Sequence, residues 1–179
     1  MSASEITRQA IVAGTKKLAS EKPLQKISVL EIAQHCSINR NTFYYYFGDK
    51  YDVIAWIFQQ ELVPNAEASL KGRGLAENVT AMCTQMQREK SFYSRILEDS
   101  GHRSFRELLV QYYKKFLMDM AQVHFEAFNL EGRDQEIAAR FYAHGTVGMI
   151  CDWAAGDMKM DSAFATSIIQ LSAREKFFV

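Results

Sequence analysis

Apolar residues along this chain recur with a helical period from one end to the other. They lie three or four positions apart, and alternation with a period of two never persists long enough for a strand. The spacing predicts helices over about residues 4–21, 29–36, 39–47, 50–64, 75–88, 90–99, 103–128, 134–155 and 162–177. The pattern therefore predicts an all-α protein of about nine helices.

Several of the predicted helices begin at a residue whose side chain can accept a hydrogen bond from the first turn. Ser4, Asn39 and Asp49 precede the first, third and fourth helices as candidate N-caps. Ser28 and Glu31 have the spacing of a capping box at the start of the second helix. Short, capped helices separated by a tight turn are typical of a helix-turn-helix unit.

The third helix has two different faces. Phe43 and Phe47 lie four residues apart and share one face, with Tyr46 beside them. The other side carries polar and aromatic residues: Arg40, Asn41, Thr42, Tyr44 and Tyr45. This division suits a helix that buries one face and presents the other to the DNA major groove. An amphipathic helix with an aromatic-rich surface is the alternative.

The residue types on the outer side match those that read DNA. Asn41 can pair with adenine, Arg40 can reach guanine or phosphate, and Thr42 can bond a base or pack on thymine. The tyrosine hydroxyls suit phosphate contacts, which position a protein on DNA. The next helix begins with amide groups and Lys50, where a phosphate can sit.

Composition adds little to this interpretation. Hydrophobic residues make up 48% of the chain and charged residues 23%, as in ordinary globular proteins, and the net charge is zero. Residues 1–55 carry seven Lys/Arg against five Asp/Glu, which is only a weak basic bias. Cys36, Cys83 and Cys151 form no C-x-x-C pair, and neither a signal peptide nor a long apolar run is present. We expect reduced thiols, a cytoplasmic location and no membrane span.

Residues 4–58 resemble the DNA-binding region of TetR-type transcriptional regulators. The resemblance lies in Ser28-Val29-x-x-Ile32-Ala33, Thr42-Phe43-Tyr44-x-Tyr46-Phe47 and Lys50. It implies DNA contacts by Ser28, Thr42, Tyr44, Tyr46 and Lys50, mostly at the backbone. Two departures are Ser37 and Asn41, at positions where the family usually or often has glycine. Asn41 is therefore expected to alter base preference and to leave the fold intact.

The helix at 134–155 combines large apolar residues with small ones. Glycine inside a helix costs about 1 kcal/mol relative to alanine, so Gly145 and Gly148 suggest close approach of another helix. A tight crossing within the chain is the alternative to a partner chain. The segment resembles the penultimate helix of TetR-type regulators, which pairs with the last helix in a four-helix dimer interface. The residues expected there are Gly145, Gly148, Trp153, Phe164, Ile168 and Leu171.

Aromatic and Met residues in the C-terminal two thirds can line an effector pocket or simply form core. The candidate pocket residues are Phe92, Phe105, Tyr112, Phe116, Met120, His124 and Phe141. His102, His124, His144 and Cys151 lack compact ligand spacing, so no metal and no cofactor are expected. The C-terminal pattern also resembles a branch that includes the activator of dihydroxyacetone kinase operons, which implies a protein co-regulator as another partner.

These observations predict a regulator with two regions. Residues 1–50 form a three-helix helix-turn-helix domain, and residues 51–179 form a larger helical ligand-binding and dimerisation domain. We expect a homodimer that binds a palindromic double-stranded operator as a ligand-responsive repressor. A helical ligand-binding or protein-interaction module without sequence-specific DNA binding is the alternative. No G-x-S-x-G, P-loop, H-E-x-x-H or G-x-G-x-x-G motif occurs, so no enzyme is expected.

Overall fold

The apolar spacing correctly predicts the secondary structure of the described chain. A computed structural model describes residues 2–64, 75–99, 104–124 and 132–159, and in the third range it describes side chains as far as residue 119. Within these ranges there are eight α-helices and no strand. They are α1 (Ala3–Glu21), α2 (Val29–His35), α3 (Arg40–Tyr46), α4 (Lys50–Ile57), α5 (Leu75–Arg88), α6 (Lys90–Glu98), α7 (Phe105–His124) and α8 (Arg133–Ala155). The helix predicted at 162–177 and residues 125–128 lie outside the described residues.

Helix ends differ from the prediction in two places. Ser4 is not the cap of α1, because the helix begins one residue earlier and the Ser2 hydroxyl accepts the Glu5 amide at 3.2 Å. The fourth helix is not regular to its end, since Phe58–Leu62 continues α4 as a π turn. A 3-10 turn, Leu24–Lys26, joins α1 to α2.

The N-terminal helices are attached to the rest of the molecule mainly through α1 and α4. Helix α1 packs against α2, α4 and α6, while α7 and α8 lie along each other. One apolar cluster runs without a break from Ile11 in α1 through Phe58 to Ile150 in α8. Helix α6 therefore contacts both α1 and the C-terminal helix α8.

Polar contacts reinforce this junction. The Lys16 ammonium, which is mostly buried, pairs with the Glu89 carboxylate at 2.8 Å and also with Glu61. Arg95 of α6 donates its Nε hydrogen to the Ser20 carbonyl at 2.9 Å. Because these contacts join α1 to residues far away in sequence, they fix how the N-terminal helices sit on the C-terminal region.

The turn between α2 and α3 contains a strained residue. Ser37 has φ of +55°, in the left-handed region that glycine adopts without steric cost. An L-residue there costs about 1–2 kcal/mol, part of which is offset by glycine's greater freedom in the unfolded chain. Ser37→Gly is expected to raise the free energy of unfolding by about 0.5–1 kcal/mol, measured by urea denaturation.

The matched control is Ser37→Ala, which removes the same hydroxyl but keeps the Cβ. It should not stabilise the protein, because the strain arises from the Cβ and not from the hydroxyl. Equal stabilisation by both variants would show that the backbone conformation is not the cause.

Candidate nucleic-acid interface

Side-chain caps fix the ends of the helices around α3. The Asn39 Oδ1 atom accepts the Thr42 amide at 2.7 Å, as the sequence predicts. The Ser28 hydroxyl accepts the Glu31 amide at 3.1 Å. The Glu31 carboxylate pairs with Lys22, and this hydrogen bond, helped by the Ser28 amide, lowers the pKa of Glu31. Both caps satisfy amides that a short helix leaves open, so the two helices begin at defined residues.

Helix α4 begins at a complete capping box. The Asp49 carboxylate accepts the amides of Tyr51 at 2.8 Å and Asp52 at 3.0 Å. The Asp52 carboxylate accepts the Asp49 amide at 3.3 Å in return. This reciprocal arrangement holds Lys50 in the first turn of α4, next to the C-terminal end of α3.

The inner face of α3 is anchored by aromatic rings. Phe43 has no exposed surface, and its ring centroid lies 6.1 Å from that of Phe47. Phe47 in turn makes an edge contact with Trp56 of α4 at 6.5 Å. Edge-to-face ring pairs add specificity to the apolar burial, so α3 has one preferred rotation about its axis.

The outer face of α3 points into solvent. Tyr45 is 81% exposed and Tyr44 is 42% exposed, and Asn41 lies on the same exposed surface. Large exposed aromatic rings on a rigidly held helix are unusual for a surface without a partner. The predicted division of α3 into a buried and a presented face is thus present in the molecule.

Arg40 and Tyr44 form a pair on this outer face. The Arg40 guanidinium donates to the Tyr44 hydroxyl oxygen from Nε at 3.2 Å and from Nη2 at 2.9 Å, and it lies 5.2 Å from the centre of the tyrosine ring. The hydroxyl keeps its own hydrogen, which it can donate to a phosphate. The pair therefore offers a cation and a hydroxyl donor at one place.

Thr42 and Tyr46 are held more tightly than the sequence suggests. The Thr42 hydroxyl donates to the Asn39 side chain at 3.1 Å, so it has an oxygen to offer to DNA and its methyl group to offer to thymine. Tyr46 is half-buried, with its ring 5.0 Å from the ring of Tyr45 and the Arg8 guanidinium 5.7 Å from its centre. Arg8, on α1, is a neighbour of this surface that no local motif indicates.

Lys50 lies at the edge of the same surface with its ammonium already engaged. It donates to the Ile27 carbonyl at 2.8 Å and to the Gln25 carbonyl at 3.0 Å. Burial lowers the pKa of Lys50, and the carboxylates of Asp99 and Asp49 oppose that shift. An ammonium has three hydrogens, so one donor is left for a phosphate.

Four of the candidate pocket residues lie together in the core of the C-terminal region. Phe92 and Phe105 are buried and Phe116 nearly so, and the Phe116 ring stacks on that of the partly exposed Tyr112. Phe58, which the sequence did not single out, contacts the rings of both Phe105 and Tyr112.

The remaining candidate pocket residues do not join this cluster or cannot be placed. The side chains of residues 120 and 124 lie outside the described residues, so the Met120 and His124 predictions have no structural outcome. Phe141 is 72% exposed on α8 and does not join this cluster.

Buried polar atoms surround that aromatic cluster. The Asn78 amide nitrogen donates to the Tyr112 hydroxyl at 2.7 Å, while Asn78 Oδ1 and the hydroxyls of Tyr93 and Tyr113 have no hydrogen-bond partner among the described residues. Burial raises the pKa of both Tyr93 and Tyr113, so these hydroxyls are neutral donors. Buried polar atoms normally have a partner, which makes this group a candidate for binding a polar molecule. Asn78 carries no sequence signal, since a lone Asn in a helix is commonplace.

The outer face of α8 carries an open groove with exposed apolar side chains. Ile137, Phe141 and Gly145 line it together with Arg140 and His144. A Cβ added at Gly145 or Gly148 would meet no atom of the described residues within 4 Å.

The other residues predicted at the dimer interface do not lie on this face or fall outside the described residues. Trp153 faces the chain's own core, where it is 5% exposed and donates Nε1–H to the Lys159 carbonyl at 3.1 Å. Phe164, Ile168 and Leu171 lie outside the described residues.

Other kinds of site are not seen in this part of the chain. The described residues include no group of three His, Cys, Asp or Glu side chains placed to hold a metal ion. Among the same residues, no helix has the length and apolar character needed to span a membrane.

Comparison with solved structures places the fold. The chain is similar to the dihydroxyacetone kinase operon activator DhaS, with a TM-score of 0.62 and 20% identity over 97% of this chain and 98% of that one. It is also similar to NalD, the secondary repressor of the MexAB-OprM multidrug efflux pump in Pseudomonas aeruginosa. The TM-score there is 0.66, with 16% identity over 97% of both chains. At these identities the likeness concerns the fold alone.

Sequence comparisons identify the family. A curated relative from Lactococcus lactis subsp. lactis (strain IL1403), the HTH-type dhaKLM operon transcriptional activator DhaS, is 27% identical over 96 residues, which are 54% of this chain and 51% of the relative. The match thus spans about half the length of that relative. Residues 11–56 match the model for bacterial regulatory proteins of the tetR family, and residues 75–174 match its transcriptional regulator C-terminal region. The chain belongs to the TetR family of helix-turn-helix, DNA-binding transcriptional regulators.

Proposed function

We propose that this chain is a homodimeric repressor that binds a palindromic operator through α3 and releases it when an effector binds. Residues 1–50 would form the DNA-binding domain and residues 51–179 the ligand-binding and dimerisation domain, acting in the cytoplasm. The observation that carries the proposal is the outer face of α3, where the Arg40–Tyr44 pair and Tyr45 are exposed above a buried Phe43.

The outer face of α8 supports dimerisation. Ile137 and Phe141 expose apolar surface, and the Cβ positions of Gly145 and Gly148 are open towards it. Since those glycines are not required by a close contact among the described residues, close approach of a second copy accounts for them better than a crossing within the chain. A two-fold dimer would place two α3 helices in successive major grooves, about 34 Å apart or a multiple of that distance.

The buried polar group supports an effector site in the C-terminal region. Asn78, Tyr93 and Tyr113 lie around the aromatic cluster that contains Phe105 and Tyr112. A small neutral molecule with hydroxyl or carbonyl groups would give these atoms their missing partners. Helix α6, which carries Tyr93, also packs against α1, so such a ligand would act on the DNA-binding domain through α6.

The similar proteins include both an activator and a repressor of transcription, since DhaS is described as an activator and NalD as a repressor. We propose repression because a dimer that covers two adjacent major grooves blocks access to that DNA. A reporter gene under the selected operator would decide: its expression should fall when the protein is present, and a rise would overturn the repressor assignment.

Selection of duplexes from a random-sequence pool, followed by affinity measurement over a range of salt concentrations, tests DNA binding. The enriched sequence should be palindromic, and log K should fall steeply with log salt concentration. Tyr44→Phe keeps the ring but removes the hydroxyl, and it is expected to weaken binding about ten-fold or more, because a hydrogen bond to a charged phosphate contributes about 1.5–3 kcal/mol. Tyr142→Phe, which removes a hydroxyl on α8, should leave affinity unchanged. Failure to enrich any duplex would favour a helical ligand-binding module.

A further inference from the structure

A series of hydrogen bonds connects the C-terminal region to the DNA-binding helices. Asp99, at the C-terminal end of α6, is buried, and its Oδ1 atom accepts from the Gln25 side chain at 2.7 Å. Gln25 lies in the 3-10 turn between α1 and α2, 74 residues earlier in sequence. The contact therefore ties the end of α6 to the turn that precedes the helix-turn-helix.

The same turn holds Lys50. The backbone carbonyls of Gln25 and Ile27 accept two of the ammonium hydrogens, at 3.0 and 2.8 Å. Leu24 and Ile27 are both buried whereas Gln25 between them is exposed, so the bond to Asp99 is the described contact that ties the middle of the turn to α6. The direction of the remaining Lys50 hydrogen is set by where these two carbonyls lie.

The charges of Asp99 and Lys50 also connect the two ends of this series of hydrogen bonds. Asp99 is close enough to Lys50 for its carboxylate to counter the effect of burial on the lysine pKa. The ammonium therefore retains a nearby negative charge, although the carboxylate bonds the Gln25 side chain and not the lysine directly. Asp99 thus acts on Lys50 both through Gln25 and through space.

We propose that Asp99 and Gln25 are positioning residues for DNA binding: they hold the turn whose carbonyls aim Lys50 at a phosphate. The proposal rests on the DNA-binding function proposed above. It also assigns a route for regulation, since any displacement of the end of α6 would move Gln25 and with it the lysine. Neither residue needs to touch DNA for this effect.

The test uses the full-length protein and the duplex that the wild type selects from a random pool. Gln25→Ala is the first variant, because its side chain is exposed and its loss should not unfold the protein. We expect binding to be about five-fold weaker. The slope of log K against log salt concentration should be smaller in magnitude by about one for each bound subunit, as for a lost phosphate contact. Asp99→Ala should behave alike where it folds, as judged by circular dichroism.

The Lys50→Met variant shows whether Gln25 acts by positioning Lys50 or by a general effect on the stability of the DNA-binding helices. If Gln25 acts through Lys50, Gln25→Ala should have no further effect on affinity in that background. The matched control is Gln87→Ala, which breaks another long-range glutamine bond, from Gln87 Nε2 to the Met158 carbonyl at 3.0 Å. That variant should bind DNA like the wild type.

The outcomes distinguish the inference from the function on which it rests. Wild-type affinity and salt dependence for Gln25→Ala, or an equal loss with and without Lys50, would overturn the positioning role while leaving DNA binding established. If the wild type selects no duplex at all, the proposed function fails and the inference fails with it.

Discussion

Replacing Phe43 with alanine is expected to lower the free energy of unfolding by about 3–4 kcal/mol, because it removes a fully buried ring from the core and leaves a cavity. Phe43 has no exposed surface and contacts the rings of both Phe47 and Tyr44. Urea denaturation followed by far-ultraviolet circular dichroism would measure the change. The variant should also lose DNA binding, since α3 would have no fixed rotation.

Tyr45→Ala is the matched control, two residues away on the same helix. Because Tyr45 is 81% exposed, its removal should change stability by no more than about 0.5 kcal/mol. Its effect should appear in DNA affinity, where we expect a loss of about ten-fold for one hydrogen bond to a charged phosphate. Comparable destabilisation by both variants would mean that α3 does not have one buried and one presented face.

The features that the sequence predicted well are local ones. The Asn39 and Asp49 caps, the buried pair Phe43 and Phe47, and the bounds of α5 follow from residues within one or two turns of each other. Helix periodicity and capping depend on such short distances, so one sequence contains the information needed. The existence of a presented face on α3 was predictable for the same reason.

The features that could not be predicted from the sequence depend on residues far apart in the chain. Nothing near Lys50 indicates that its ammonium would bind carbonyls of the α1–α2 turn, or that Asp99 would reach Gln25. Trp153 was expected at the dimer interface from its place in the segment that resembles the family's penultimate helix, yet it packs into the chain's own core. The side that a residue of a largely apolar helix faces is decided by packing, and the spacing of α8 alone leaves it open.

The position of Ser2 shows a smaller limit of sequence reasoning. Ser2 and Ser4 are equally good caps by composition, and the helix begins after the first of them. Ile6, which a regular stripe would bury, is exposed, whereas Val12 and Thr15 are buried. Tertiary packing thus decides which side of α1 is buried, and the spacing of its residues leaves this open.

Gly14→Ala is expected to lower the free energy of unfolding by about 2 kcal/mol, although alanine is the better helix former. Gly14 lies where α1 crosses α2, and an added Cβ would be 2.5 Å from Cys36 Sγ and 3.2 Å from His35 Cδ2. Displacing the thiol would also break its hydrogen bond to the Ala10 carbonyl, which is 3.3 Å long. Urea denaturation of the single variant would measure the cost.

Cys36→Ala provides the decisive background for this prediction. Without the sulfur atom, the new Cβ has only the His35 ring to displace, and the helix-propensity gain of about 1 kcal/mol can offset that. We therefore expect Gly14→Ala to be nearly neutral in the Cys36→Ala protein, so that the two substitutions couple strongly. An equal loss in both backgrounds would contradict the close α1–α2 contact.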